Sequence, residues 1–156
     1  MPPYYRIIHE KHRSNPLGYG QMAARWNSKG VGIIYCANTI SLVHTEWLSI
    51  KGPAVIDSLW LLVTLEIDND IFTVEIQDLP KNWCQIPPIN ETRKIGDIWS
   101  KELISLGLKV PSARLPIIAF PEEHNLLLNP NHPNFHKRVN LKRLTELNFN
   151  LNKWSN

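Results

Sequence analysis

Residues 23–37 read AARWNSKGVGIIYCA. The stretch changes character halfway. Arg25, Trp26, Asn27, Ser28 and Gly30 make a turn-like segment, whereas Val31–Cys36 is apolar, rich in β-branched residues and bounded by glycines. The second half reads as a buried strand. The first half closes a loop over residues 14–30 that is rich in Ser, Asn, Gly and Pro, and loops of that length in a compact domain often carry function. Directly after the strand, Asn38 or Thr39 can cap a helix running to about Ile50. Its apolar arc is Ile40, Val43, Trp47 and Ile50, and Gly52-Pro53 ends it. Loop, strand and helix thus follow one another, with a cation and an indole on the loop and a tyrosine near the strand's far end.

Working outward, Tyr4–His9 (YYRIIH) reads as a first strand. Leu59–Ile67 (LWLLVTLEI) is a strong strand of central type. Asp68-Asn69-Asp70 reads as a turn, with Ile71–Ile76 returning as the second arm of a hairpin. Pro80 to Pro88 is loop, and Thr92 to about Ser105 predicts a helix with Ile95, Ile98, Trp99 and Leu103 on one side. Gly107 is its stop. Leu108–Ala113 is short and extended, and Pro111 breaks any ladder there. Ile117–Phe120 and Asn125–Leu128 read as strands, residues 129–133 as a turn-rich loop, and Val139–Leu151 as either a helix or an edge strand. The result is a mixed α+β domain with more strand than helix, spanning residues 1–156 as one unit.

The chain of 156 residues is long enough for one sizeable core. Hydrophobic residues make up 43%, which excludes a disordered chain. The formal charge of +3, from 17 basic and 14 acidic residues, is too weak to imply nucleic acid without a patch. Only Lys137-Arg138 and Lys142-Arg143 cluster, so no direct nucleic-acid binding is expected. The longest apolar run, residues 59–63, is too short to cross a bilayer. MPPYYRIIHEKH offers no apolar signal-peptide core. Cys36 and Cys84 lie far apart and suit a reducing cytoplasm. Neither Gly18-Tyr19-Gly20 nor Gly30-Val31-Gly32 continues as a phosphate-binding glycine motif. His132 and His136 are four apart with His124 upstream, but Pro133 between them opposes the helix that a zinc pair would need, so no metal is expected.

Four residues carry candidate chemistry. Glu46 falls at the margin of the helix's apolar arc, with Leu42 and Ile50 as its i−4 and i+4 neighbours. It is either a rim glutamate reaching water or a cleft carboxylate that stabilises positive charge. Arg25 either pairs with a nearby group or offers its planar donors to a pyrophosphate or ribose. Tyr35 is either a core aromatic or a platform for a planar base. Ser112, after Val110-Pro111, is a turn hydroxyl or a binding group. No histidine is placed to activate it as a nucleophile.

These segments form an ordered set along nearly the whole chain: Tyr5-Arg6-Ile7, Arg25-Trp26-Asn27 with Gly30, Ile34-Tyr35-Cys36-Ala37, Glu46, Ile95-Gly96-Asp97-Ile98-Trp99, Val110-Pro111-Ser112-Ala113, and Asn125-Leu126-Leu127-Leu128-Asn129-Pro130 with His132-Pro133. The set resembles the RES domain, the toxin of a bacterial toxin–antitoxin class named for an arginine, a glutamate and a serine. By resemblance Arg25, Glu46 and Ser112 are those three residues, and Tyr35 is the aromatic that accompanies them. Arg6 is a second candidate for the arginine. The resemblance implies a split β core similar to ADP-ribosyltransferases, with NAD as substrate in a cleft. It implies NAD phosphorolysis or hydrolysis, or ADP-ribose transfer to a protein. The implied partner is a helix-turn-helix, Xre-like antitoxin that covers the site within a larger complex. The chain departs from the family at Ala23-Ala24, where Gly-Gly is usual. Alanine is strained there if those positions need positive φ, and a weakened interaction module is then the remaining reading.

Overall fold

The structure is a computed structural model that describes residues 1–152; the last four positions of the expected 1–156 domain lie outside the described residues. Seven strands form one mixed sheet: β1 (Pro3–His9), β2 (Ile34–Ala37), β3 (Trp60–Ile67), β4 (Ile71–Thr73), β5 (Gly107–Val110), β6 (Asn125–Leu128) and β7 (Val139–Leu147). Their spatial order is β4-β5-β6-β2-β1-β3-β7. Three helices accompany them: α1 (Ile40–Lys51), α2 (Asn90–Lys101) and the single turn α3 (Phe135–Arg138).

The pairing of β1 with β2 positions everything else. These strands meet antiparallel through one residue pair, Tyr5 opposite Ala37, and then diverge. β1 is instead fully paired along its other edge, from Pro3–Glu66 to His9–Trp60. β2 is fully paired with β6, from Ile34–Leu128 to Ala37–Asn125. The sheet is therefore split between two well-bonded halves, and a cleft opens in the split.

The sheet also curls. Ile67 ends β3 and Ile71 starts β4, so at most about 14 Å of extended chain joins them. They are five strands apart in the order, which in a flat sheet requires about 24 Å. The inner face of the curl is the main core: Tyr4 and Ile8 of β1, Ile34 and Cys36 of β2, alternate residues of β3, and Leu126 and Leu128 of β6. Period-two alternation delivers these side chains to one side. The outer face is covered twice. α1 packs Leu42 and Val43 onto Ile7, Trp60 and Leu62, and Trp26 and Trp99 pack onto Leu108, Val110 and Leu127.

Several expected elements differ, each for a physical reason. Ile71–Ile76 does not return beside β3. Its first three residues pair parallel with β5, while β7 takes the vacant edge of β3. The expected turn at residues 68–70 does form, with Asn69 and Asp70 at positive φ of 56° and 63°, so the turn signal was local and carried no information about the partner. The helix predicted to Ser105 ends at Lys101, with Leu103 at φ 52°. Gly107 opens β5 instead of stopping the helix. Ile117–Ala119 is a 3-10 turn between prolines, not a strand. Residues 31–33 lie outside β2. In α1 the buried residues are Leu42 and Val43, and Ile40 and Ile50 face solvent. Val139–Leu147 resolves as an edge strand.

Candidate functional site

Thr39 caps α1, its hydroxyl accepting from the Leu42 N–H at 3.0 Å. Leu42 and Val43 seat the helix on the sheet, and that rotation turns Glu46 toward the split. There Glu46 is held firmly. Its Oε1 accepts from the Ser112 hydroxyl at 2.5 Å and from Asn125 Nδ2 at 2.7 Å. Its Oε2 lies 3.7 Å from Arg114 Nε. Ser112 follows the end of β5, and Asn125 starts β6, so two strand ends converge on one helix residue.

Arg25 sits opposite, on a loop braced by α2. The Thr92 hydroxyl donates to the Arg25 carbonyl at 2.7 Å, and Arg93 Nε donates to the Ala24 carbonyl at 3.0 Å. Asp97 Oδ1 accepts from the Ser28 N–H at 2.8 Å. Gly96 makes this docking possible: a Cβ there would lie 1.7 Å from the Trp26 carbonyl oxygen. The Arg25 guanidinium itself donates through one terminal nitrogen to the carbonyls of Trp83 and Gln85, at 2.8 and 3.0 Å. Trp83 in turn stacks on Trp26. Burial lowers the Arg25 pKa from its ordinary value, and neighbouring Arg114 lowers it further.

Tyr35 shows its ring to the cleft while its hydroxyl is fully used. It donates to Asn27 Oδ1 at 2.6 Å and accepts from the Trp26 N–H at 3.2 Å. Burial pushes its pKa well above the usual phenol value, partly countered by the Trp26 N–H. The hydroxyl therefore stays protonated and serves to lock the loop to the strand. Asn27, buried, also donates to the carbonyls of Met22 and Val31.

The cleft formed in this way encloses about 460 Å³ and is lined by Arg6, Arg25, Tyr35, Glu46, Trp47 and Arg114, among others. That volume suits part of a small ligand. Three guanidiniums face one carboxylate, so the cleft attracts anions. Sequence reading placed Arg25, Tyr35, Glu46 and Ser112 as candidates, and the structure gathers all four. Three line the cleft. Ser112 is buried behind Glu46 and accepts from the Arg114 N–H at 3.0 Å. Two contacts to Glu46 were missed: Asn125, quoted only as part of a strand, and Arg114, for which no spacing rule pointed across 68 residues of chain. Arg6 reaches the cleft from β1 and uses one terminal nitrogen to hold the Pro16 and Gly18 carbonyls. The departure at Ala23-Ala24 brings no strain. Among the described residues positive φ outside glycine occurs at Asn69, Asp70 and Leu103 alone. His124 and His132 are engaged separately, with Tyr4 and near Asp70 respectively.

Comparisons with known proteins bear on the family and the fold. The RES domain model matches residues 3–151. A protein called Toxin Res from Yersinia enterocolitica is 38% identical over 135 residues, covering 84% of this chain and 86% of its own. Toxin Res from Photorhabdus laumondii is 32% identical over 145 residues, covering 90% of each chain. A Prs ADP-ribosylating toxin from a Sphingobium species is 30% identical over 113 residues, covering 70% of this chain and 67% of its own. Among solved structures, a chain of the Mycobacterium tuberculosis MbcT-MbcA toxin-antitoxin complex shares the fold, with a TM-score of 0.71 at 15% identity, covering 94% of this chain and 84% of that one.

Proposed function

The chain belongs to the RES domain family, and from that premise we propose that it is the toxin of a toxin–antitoxin pair that consumes NAD by breaking the nicotinamide–ribose bond. The observation that carries this reading is Glu46: one carboxylate, fixed by Ser112 and Asn125, facing an anion-attracting cleft. Cleavage passes through an oxocarbenium-like state, as in glycoside hydrolysis. The C1′–N bond breaks and its electron pair neutralises the nicotinamide ring. An acceptor oxygen bonds C1′ and loses its proton. Nicotinamide leaves as a neutral molecule, so this chemistry makes no demand for a metal.

Glu46 stabilises the developing charge and orients a ribose hydroxyl. Arg25 holds pyrophosphate or ribose oxygens with donors not spent on the Trp83 and Gln85 carbonyls. The Tyr35 ring stacks on nicotinamide. Ser112 was offered by its sequence as a turn hydroxyl or a binding group. Its donor is directed at Glu46, so we assign it to aiming that carboxylate. The whole chain acts as one RES-like domain on cytoplasmic NAD. Its partner is a helix-turn-helix antitoxin of Xre type that covers the cleft within a larger assembly. No helix among the described residues is long and apolar enough to cross a membrane.

The test is to incubate purified protein with NAD, with and without phosphate, and identify the products. Nicotinamide with free ADP-ribose indicates water as acceptor, and nicotinamide with phosphorylated ADP-ribose indicates phosphate. The name of the Sphingobium relative favours a second reading, transfer of ADP-ribose to a protein, for which label appears on a polypeptide. Absence of nicotinamide release under these conditions, and also with cell lysate added as a source of acceptor proteins, would sink both.

A further inference from the structure

A second cavity, of about 560 Å³, adjoins the cleft. The two share Arg6, Ile7, Tyr19, Gly20 and Trp47 as a common wall. The second chamber is also lined by His9, Lys11, His12 and Lys51, and no carboxylate faces it. Its electrostatic character is therefore one-sided, without the Glu46 that serves the first chamber.

The common wall holds a second, independent sign of a ligand. Among the described residues, three buried side-chain nitrogens lack a hydrogen-bond partner: Arg6 Nε, Trp47 Nε1 and Arg114 Nε. All three are donors on residues that line the cleft, and Arg6 and Trp47 line both chambers. A buried N–H without an acceptor is costly, and folded proteins rarely keep one without a use. What would satisfy these groups is rich in acceptors and negatively charged. Phosphoryl oxygens fit, because they accept from every side and donate nothing. Trp47 adds a flat apolar surface beside them, with Lys51 Nζ at 5.1 Å from its ring centre.

We propose that this second chamber is the subsite for the phosphorylated adenosine half of the dinucleotide, an inference that rests on the NAD reading above. The nicotinamide ribose must lie at Glu46 in the first chamber, so the other half extends past Arg6 and Trp47, where the next cavity begins. Lys11 and Lys51 face its phosphate, and the Trp47 and Tyr19 rings offer surfaces for its base. The same phosphate chemistry could come from free inorganic phosphate, and the experiment separates the two sources.

The experiment titrates the whole protein with ADP, with nicotinamide mononucleotide and with inorganic phosphate, by calorimetry, comparing wild type with the double variant Lys11→Glu/Lys51→Glu. Both side chains are exposed, so the fold is not at risk. Each partly exposed ionic contact is worth about threefold, so ADP affinity should fall about tenfold or more. The mononucleotide should bind within about twofold of wild type, and the ADP difference should shrink with salt. Equal losses for ADP and mononucleotide, or none for either, would overturn the assignment. So would loss of phosphate binding alone, which would make the chamber a free-phosphate site. If ADP binding depends on the two lysines yet no NAD is consumed, the subsite stands and the proposed reaction falls.

Discussion

Strand β6 carries an asparagine at each end, Asn125 at its start and Asn129 just past its finish. At the far end, Asn129 closes a network. It is fully buried, donates to the Ser100 carbonyl at 2.9 Å and accepts from the Asn131 N–H at 3.0 Å. Nearby, Trp99 Nε1 donates to the Ser105 hydroxyl at 2.8 Å, which donates onward to the Gly107 carbonyl at 2.7 Å. Asn125 belongs to a network that stays open. It donates to Glu46 at 2.7 Å, within a cleft where Arg6 Nε, Trp47 Nε1 and Arg114 Nε have no hydrogen-bond acceptor. A buried polar cluster that serves the fold pairs its members with each other, and one that serves a ligand leaves donors waiting.

Glu46→Gln should expose this difference most. Glutamine keeps the shape and one acceptor oxygen but removes the charge. NAD consumption should fall by about 10²–10³-fold, as for loss of one well-aimed electrostatic contact, with Tm shifted by no more than a few degrees. A glutamine variant consuming NAD at the wild-type rate would remove Glu46 from the chemistry.

Next in size is Gly96→Ala, which attacks the support common to both ends. Helix α2 supplies the Ser100 carbonyl to Asn129 and lets the Trp26 backbone approach at Gly96. The obstacle to a methyl group is a backbone carbonyl rather than a pliable side chain, so the loss should lie near the upper end of the ~1–3 kcal/mol typical of overpacking. Arg25 should be displaced with it. Urea denaturation reads the first effect, and NAD turnover per folded molecule reads the second. Wild-type stability in Gly96→Ala would mean that α2 does not sit this close.

The sharpest form of the comparison is to truncate the two asparagines in parallel. Asn129→Ala should cost about 1–3 kcal/mol of stability, since it strands buried groups, while turnover per folded molecule is retained. Asn125→Ala should do the reverse, lowering turnover about tenfold with little loss of stability, because Glu46 keeps Ser112 and can recruit water. Equal behaviour of the two variants would erase the distinction between closed and open networks.

The legibility of this molecule in its sequence follows the range of each signal. β1, β3, β6 and the capped start of α1 were readable because propensity, alternation and the Thr39 cap are local. The partner of β4 was not, because a turn such as Asp68-Asn69-Asp70 fixes a bend and not which strand edge lies free. The register of α1 was also misread: Ile40 and Ile50 fit the helical period as well as Leu42 does, and only the sheet decides among them. Arg25, Tyr35, Glu46 and Ser112 were visible through an ordered motif. Arg114 and the Asn125 contact were not, since they depend on where β5 and β6 end in space.

The smallest effect concerns the residue beside the open asparagine. His124 is buried, and its Nδ1 lies 2.7 Å from the Pro121 carbonyl. A carbonyl only accepts, so Nδ1 carries the hydrogen and Nε2 accepts from the Tyr4 hydroxyl at 3.1 Å. Adding a second proton would set two donors against each other in a dry site. Burial lowers the His124 pKa, the Pro121 contact raises it in part, and Lys109 lowers it again. The unfolded chain therefore binds a proton near pH 6.5 that the folded chain still refuses. Stability must fall as pH drops below about 6.5, with a slope from this group of at most ~1.4 kcal/mol per pH unit, levelling off once the folded pKa is passed. Urea midpoints measured from pH 7.0 to 5.5 check this, with His124→Gln as the control that removes the proton-dependent part. If the wild type and the glutamine variant lose stability in parallel over that range, another histidine carries the acid sensitivity. His124 would then be an ordinary core residue beside the open end of β6.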